Sequence, residues 1–209
     1  FVDPALIQDY YEIAIYQHGN VATRLNWHDT FNAMVWQAFP QSKVALNALH
    51  YRAIGQAQQG RGAARDAATL LDECGLIVPY SDPALLELLR QHQWQALFVQ
   101  QGAAWGLRIN AFVFGHATYE NLLAPFIGLT GKSWPVLVDA TFFALPLAEQ
   151  IAQLDQKIAA DLNQDWLQSP RQLPALPYLG IPGWWPQQDE SFYADVGYFR
   201  PKRVIARHS

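Results

Sequence analysis

Between Ser169 and Pro186 the sequence places five prolines and two glycines. Proline fixes φ and lacks a backbone N–H, so this stretch cannot form a long helix or a central strand. It also carries Tyr178, Trp184 and Trp185, more aromatic surface than a solvated linker holds. The expectation is an extended strap, residues 169–209, packed across a body built from the earlier chain. The material for that body is present: 51% of the 209 residues are hydrophobic and 15% are charged, against roughly 25% charged in average globular chains. Such a composition excludes intrinsic disorder.

Local signals outline the body. Asp3-Pro4 predicts a helix running to about Gln17, with Asp as cap and Pro at the first helical position. A second helix is expected from Asp29 or Thr30. Its apolar positions Phe31, Met34, Val35 and Ala38 follow the 3.6-residue period, and Pro40 ends it. Ser42 begins a third, ending near Ile54. Gly55 and Gln58-Gln59-Gly60-Arg61-Gly62 read as a loop. Ala67–Leu71 and Leu76–Pro79 flank Asp72-Glu73-Cys74-Gly75 and read as a β-hairpin. Asp82-Pro83 opens a short helix over Ala84–Gln91. Trp94–Gln100, Leu107–Phe114 and Trp134–Val138 read as strands, His116–Leu123 and Leu147–Leu162 as helices. The fold class is α+β, a single domain over residues 1–209. Helices come first, then a small mixed or antiparallel sheet with further helices, then the Pro/Trp-rich strap.

Several function classes drop out. Acidic residues outnumber basic ones, 18 to 14, for a net charge of −4. That disfavours a nucleic-acid partner that needs a broad basic surface, although Arg200, Lys202, Arg203 and Arg207 make the tail locally basic. The single cysteine, Cys74, excludes an intrachain disulfide and a multi-cysteine metal site. No apolar run approaches the roughly 18 residues of a membrane span, and no segment from Phe1 onward has the signal-peptide pattern. The expected location is cytoplasmic, with no membrane partner. Gly128-Leu129-Thr130-Gly131-Lys132-Ser133 ends like a phosphate-binding loop, but the pattern needs glycine where Phe126 stands. Gly60-Arg61-Gly62 fails as a dinucleotide loop because Arg65 takes the third glycine's place.

The best functional signal lies on the third helix. At about 100° per residue, Lys43, Asn47 and His50 fall within about 60° of one another, and apolar residues fill most of the remaining circumference. A solvated face explains such a seam; so does a cleft wall. The second helix offers Asp29, Asn32 and Trp36 on one side, with His28 before it. Asp29 also suits an N-cap. His116 and Glu120, four apart, share a helix face and carry ligand chemistry for a divalent metal; they equally suit a simple His–Glu pair. Asp72 and Glu73 read as a solvated hairpin tip or as further carboxylate ligands. Asp139 ends a predicted strand, a common place for functional carboxylates. Burying these groups unpaired would cost several kcal/mol each, roughly, so they are exposed, mutually paired, or gathered in a site.

At these residues the chain resembles a bacterial family known as domain of unknown function 3025. The resemblance runs from Asn26-Trp27-His28-Asp29 through Asn32, Trp36, Pro40, Lys43, Asn47 and His50. It continues through Arg65-Asp66, Thr69, Asp72-Glu73 and Gly75 to Phe114-Gly115-His116, Glu120 and Pro125. It implies a bacterial origin and carries no mechanism.

The residues therefore point to a hydrolase, metal-assisted, acting on a small polar or phosphorylated substrate. The candidate catalytic groups are Lys43, Asn47, His50, His28 and Asp29. The candidate ligands of a divalent metal ion are His50, His116, Glu120 and Asp72. The competing expectation is a binding module that uses its Trp- and Tyr-rich surface, with Leu173–Pro186 docking a peptide or subunit.

Overall fold

A four-stranded mixed sheet in the order β2-β1-β3-β4 divides the molecule into two hydrophobic layers. The computed structural model describes residues 1–55 and 62–202. The loop expected around Gln58-Gln59-Gly60-Arg61 and the basic Arg203 and Arg207 lie outside the described residues. Strands β1 (Gly75–Tyr80) and β3 (Thr130–Leu137) run parallel, pairing Gly75 with Lys132 through Tyr80 with Leu137. The outer strands β2 (Phe112–Val113) and β4 (Ala175–Pro177) are antiparallel to them. Successive side chains of a strand point to opposite faces. Ile77 accordingly enters one layer, with Trp134 and Val136, while Leu76 and Val78 enter the other.

The first layer is helical. It is built from α2 (Trp27–Ala38), α3 (Pro40–Gly55), α4 (Ala63–Cys74) and α7 (Leu147–Asn163). Pro40 does not merely end α2; it occupies the first position of α3, where a missing N–H costs nothing. The N–H groups of Gln41 and Ser42 instead donate to the buried Asp155 of α7, at 3.1 and 2.7 Å. A carboxylate at a helix N-terminus is favoured by the macrodipole. The first predicted helix is shorter than expected: Pro4–Leu6 make one 3₁₀ turn and α1 spans Tyr11–His18.

The second layer holds α5 (Pro83–Arg90), a π-helical turn over Gln95–Gln100, and the strap. Trp94–Gln100, expected as a strand, is this turn. A run of four to eight apolar residues has no period long enough to separate strand from helix. Of Leu107–Phe114, only Phe112 and Val113 form a strand. In the described part of the strap, Tyr178, Leu179 and Ile181 are buried, and it includes β4 and α8 (Glu190–Tyr193).

The largest departure is the expected hairpin. Residues 67–74 belong to α4, which runs into β1 without an intervening loop. Ala67, Ala68 and Leu71 form its buried stripe at helical spacing. Gly75 makes the junction feasible, since a Cβ there would lie 2.2 Å from the Leu71 carbonyl oxygen. Gly115 seats the start of α6 (His116–Leu122) on the same junction: a Cβ would meet Glu73 O and Cys74 N at 2.5 Å. The α+β class read from the sequence is the observed one.

Candidate functional site

Because of that junction, the last turn of α4 and the first turn of α6 face each other, with the first turn of α2 alongside. Asp72 and Glu73 sit at the negative end of the α4 dipole, an unfavourable place for carboxylates. The neighbouring cations and imidazoles compensate.

Two imidazoles meet there. His116 Nε2 and His28 Nε2 are 3.0 Å apart, and Glu73 Oε2 is 3.7 Å from His116 Nε2. One ligand atom from each of His28, Glu73 and His116 lies within 4.8 Å of the others. Each imidazole also has a carboxylate behind it. His28 Nδ1 donates to Glu120 Oε2 at 3.3 Å. His116 Nδ1, fully buried and without a hydrogen-bond partner, faces Asp72 Oδ2 at 3.9 Å. The carboxylate at His28 Nδ1 holds the proton on that atom and leaves the His28 Nε2 lone pair pointing at His116. A nitrogen lone pair facing a second ring nitrogen at 3.0 Å calls for a proton or a metal ion between the two. Tetrahedral ligands at about 2.05 Å from a metal stand roughly 3.3 Å apart, close to this spacing. Burial lowers the His116 pKa, reinforced by Lys43 and His28 and opposed by Asp72 and Glu73. The net effect favours the neutral imidazole, the form that ligates.

The profile of the family described as "Protein of unknown function (DUF3025)" matches residues 1–203. The chain belongs to this family. No curated protein and no solved structure matches it, so the DUF3025 site must be read from its own geometry.

A second polar group lies behind Asp72. Lys43, 4% exposed, donates to Asp72 Oδ1 and, at 2.9 Å, to Asn32 Oδ1; its Nζ lies 5.4 Å from the centre of the Trp36 ring. Asn32 in turn donates to the Tyr11 hydroxyl at 2.9 Å. Asn47 donates to the backbone carbonyl and the carboxylate of Glu12, tying α3 to α1. Burial works to raise the Asp72 pKa, but the charges of Lys43, His116 and His50 outweigh it and hold the carboxyl below its usual range. Burial pushes Glu12 up despite Asn47, and takes Tyr11 to about 12.

The candidates read from the sequence thus divide. His28 and His116 converge, and Glu120 and Asp72 stand behind them rather than among the three converging groups. His50 is buried on α3 and influences Asp72 through its charge, but it is not one of those three. Lys43 and Asn47 are committed to protein partners. Asp29 is not the cap of α2: Asn26 accepts from Asp29 N at 2.8 Å, and the Asp29 carboxylate accepts from Arg24 N at 2.7 Å. Asp139 caps a 3₁₀ turn by accepting from Thr141. Glu73, which the sequence offers only alongside Asp72 as a turn residue or a further carboxylate ligand, is one of the three converging groups. Glu12 and Tyr11 gave no sequence signal, since α1 shows no clear apolar face. Among the described residues, no helix is long and apolar enough to cross a membrane.

Proposed function

We propose that this protein is a metal-assisted hydrolase acting on a small polar or phosphorylated substrate. The observation that carries the reading is the approach of His28 Nε2 to His116 Nε2, 3.0 Å apart beside Glu73, with a carboxylate behind each ring. His28, His116 and Glu73 would hold a divalent ion and leave coordination positions for water and substrate, the arrangement of catalytic rather than structural centres. A Zn²⁺ ion held there would lower the pKa of bound water to about 7 and so supply a nucleophile. Glu120 and Asp72 would orient the two imidazoles. Lys43, too buried to reach a substrate, keeps Asp72 ionised. The interaction-module reading has less support, because the strap turns much of its aromatic surface into the core.

The test is elemental analysis of untagged protein after equilibration with Zn²⁺, Mn²⁺ or Mg²⁺, together with hydrolysis of 4-nitrophenyl phosphate and 4-nitrophenyl acetate. One bound ion per chain is expected, lost in His28→Ala, His116→Ala and Glu73→Gln, together with turnover. A chain that binds none of these ions stoichiometrically sinks the proposal.

A further inference from the structure

On the other layer of the sheet, beneath the strap, lies a cavity of about 330 Å³. It belongs to none of the chemistry above. His92, Trp94, Thr130, Pro177, Tyr198 and Arg200 are among its walls.

Three observations make it more than a packing gap. The first is the backbone at His92, which has φ = 55°. It directly follows α5 and its cap Gln91, in a C-terminal motif where Gln93 N donates to Leu88 O and His92 N to Leu89 O. Glycine is the least strained residue at that place. A histidine kept there in the left-handed region needs a reason in its side chain.

The second is how the ring is held. The imidazole stacks on Trp94, with centroids 4.8 Å apart and planes 28° apart. His92 Nδ1 lies 3.3 Å from the Arg200 carbonyl oxygen, which also accepts from Trp94 Nε1 at 2.8 Å. A carbonyl only accepts, so Nδ1 carries the proton and Nε2 is a bare acceptor.

The third is charge. The ions that act on His92 are Lys202 and Lys132, both cations. Arg200 donates through Nε to the Gly197 carbonyl. Among the described residues, no carboxylate pairs with Arg200, Lys132 or Lys202. Of these cations Arg200 lines the cavity itself, beside Trp94 and Tyr198, while the Asp195 carboxylate accepts from Gly197 N on its rim.

We propose that this cavity is a second ligand site, for a phosphorylated planar ring of nucleotide size. Arg200 meets the phosphate, the His92–Trp94 stack meets the ring, and His92 Nε2 accepts from an N–H or O–H elsewhere on the ligand. The Gly128-Leu129-Thr130-Gly131-Lys132-Ser133 segment also finds a role here. It cannot wrap a phosphate as a loop before a helix, because Thr130 to Ser133 are strand β3. Gly128 and Thr130 wall the cavity instead. The proposal does not depend on the metal centre.

Calorimetric titration of the full chain with adenosine monophosphate and uridine monophosphate tests it. Adenosine and inorganic phosphate serve as the separate halves. Saturable binding of at least one nucleotide is expected, tighter than either half. Arg200→Gln and His92→Gly should each weaken it about tenfold or more. His92→Gly suits the left-handed backbone and should keep the wild-type circular dichroism spectrum, so its loss of binding is not loss of fold. The proposal is overturned if neither nucleotide binds, if phosphate alone binds as tightly, or if both variants bind like wild type. It is equally overturned if binding disappears in His28→Ala and persists in His92→Gly, which would assign the nucleotide to the metal centre.

Discussion

The backbone of Gly115 lies directly on that of Gly75: Gly115 N donates to Gly75 O at 2.9 Å, and a methyl group at Gly115 would come within 2.4 Å of Gly75 N. The contact sets the height of His116 over Glu73. Backbone atoms cannot swing aside as a side-chain tip can, so Gly115→Ala should move α6 away from the α4 end. We expect a loss of about 1–3 kcal/mol from overpacking, read by chemical denaturation. Metal binding should weaken as well, though no ligand has been altered. Wild-type metal affinity in Gly115→Ala would show that the junction does not position the site.

Asp72 is placed to orient His116. Asp72→Asn should lower metal affinity about 10–100-fold without removing the site. The second readout is the His116 tautomer by ¹⁵N NMR, which should move toward Nε2–H once the Asp72 charge on the Nδ1 side is gone. An unchanged tautomer with unchanged affinity would assign Asp72 to structure alone.

Lys43 and Asp72 form a largely buried ion pair. Lys43→Met removes one partner and leaves a carboxylate without its main stabilising charge, at an expected cost of about 3–5 kcal/mol. The double variant Lys43→Met with Asp72→Asn leaves no such charge and should recover much of that loss. If the two changes simply add, measured by urea unfolding of all four proteins, the pair is not coupled.

Glu12 gives stability a pH dependence of definite sign. Burial raises its pKa in the folded state above the ordinary 4.5. Between 4.5 and the raised value the folded chain holds more protons, so this group's contribution falls as pH rises through that window. Asp72 acts oppositely: its depressed pKa adds stability above 3.8, lost as pH falls. Glu12→Gln keeps an acceptor for Asn47 and removes the first effect only. Its melting temperature relative to wild type should therefore be higher at about pH 7 than at about pH 4. A difference that does not change with pH would count against a buried, ionisable Glu12.

The sequence made the chemistry-bearing residues visible but not their meeting. Lys43, Asn47 and His50 stand out because three polar groups on one side of an apolar helix break its pattern. His116 and Glu120 stand out by their four-residue spacing. Nothing local shows that His28 meets His116, 88 residues further on, because that approach depends on how α2 crosses α6. The departure at residues 67–74, which precedes the correctly expected strand over Leu76–Pro79, has a local cause. Glycine after Asp72-Glu73-Cys74 is a turn signal, whereas Gly75 is the first residue of β1 and fits there because it lacks a side chain. A hairpin turn over Asp72-Glu73-Cys74-Gly75 hides the role of Glu73, because a tip points carboxylates into solvent, whereas the end of α4 faces His116. On the helix end one turns to His116 through its side and the other through its tip.

The sheet's margins are made of very little: two residues of β2 on one side and three of β4 on the other, the last of them Pro177. Such short rims offer a foreign strand almost no hydrogen-bonding template. The strap is therefore a guard against self-association as well as a cover for the hydrophobic interior. A protease cut that freed Ala175–Pro177 would uncover Thr130–Lys132 of the parallel pair, turning a quiet border into a nucleus for aggregation.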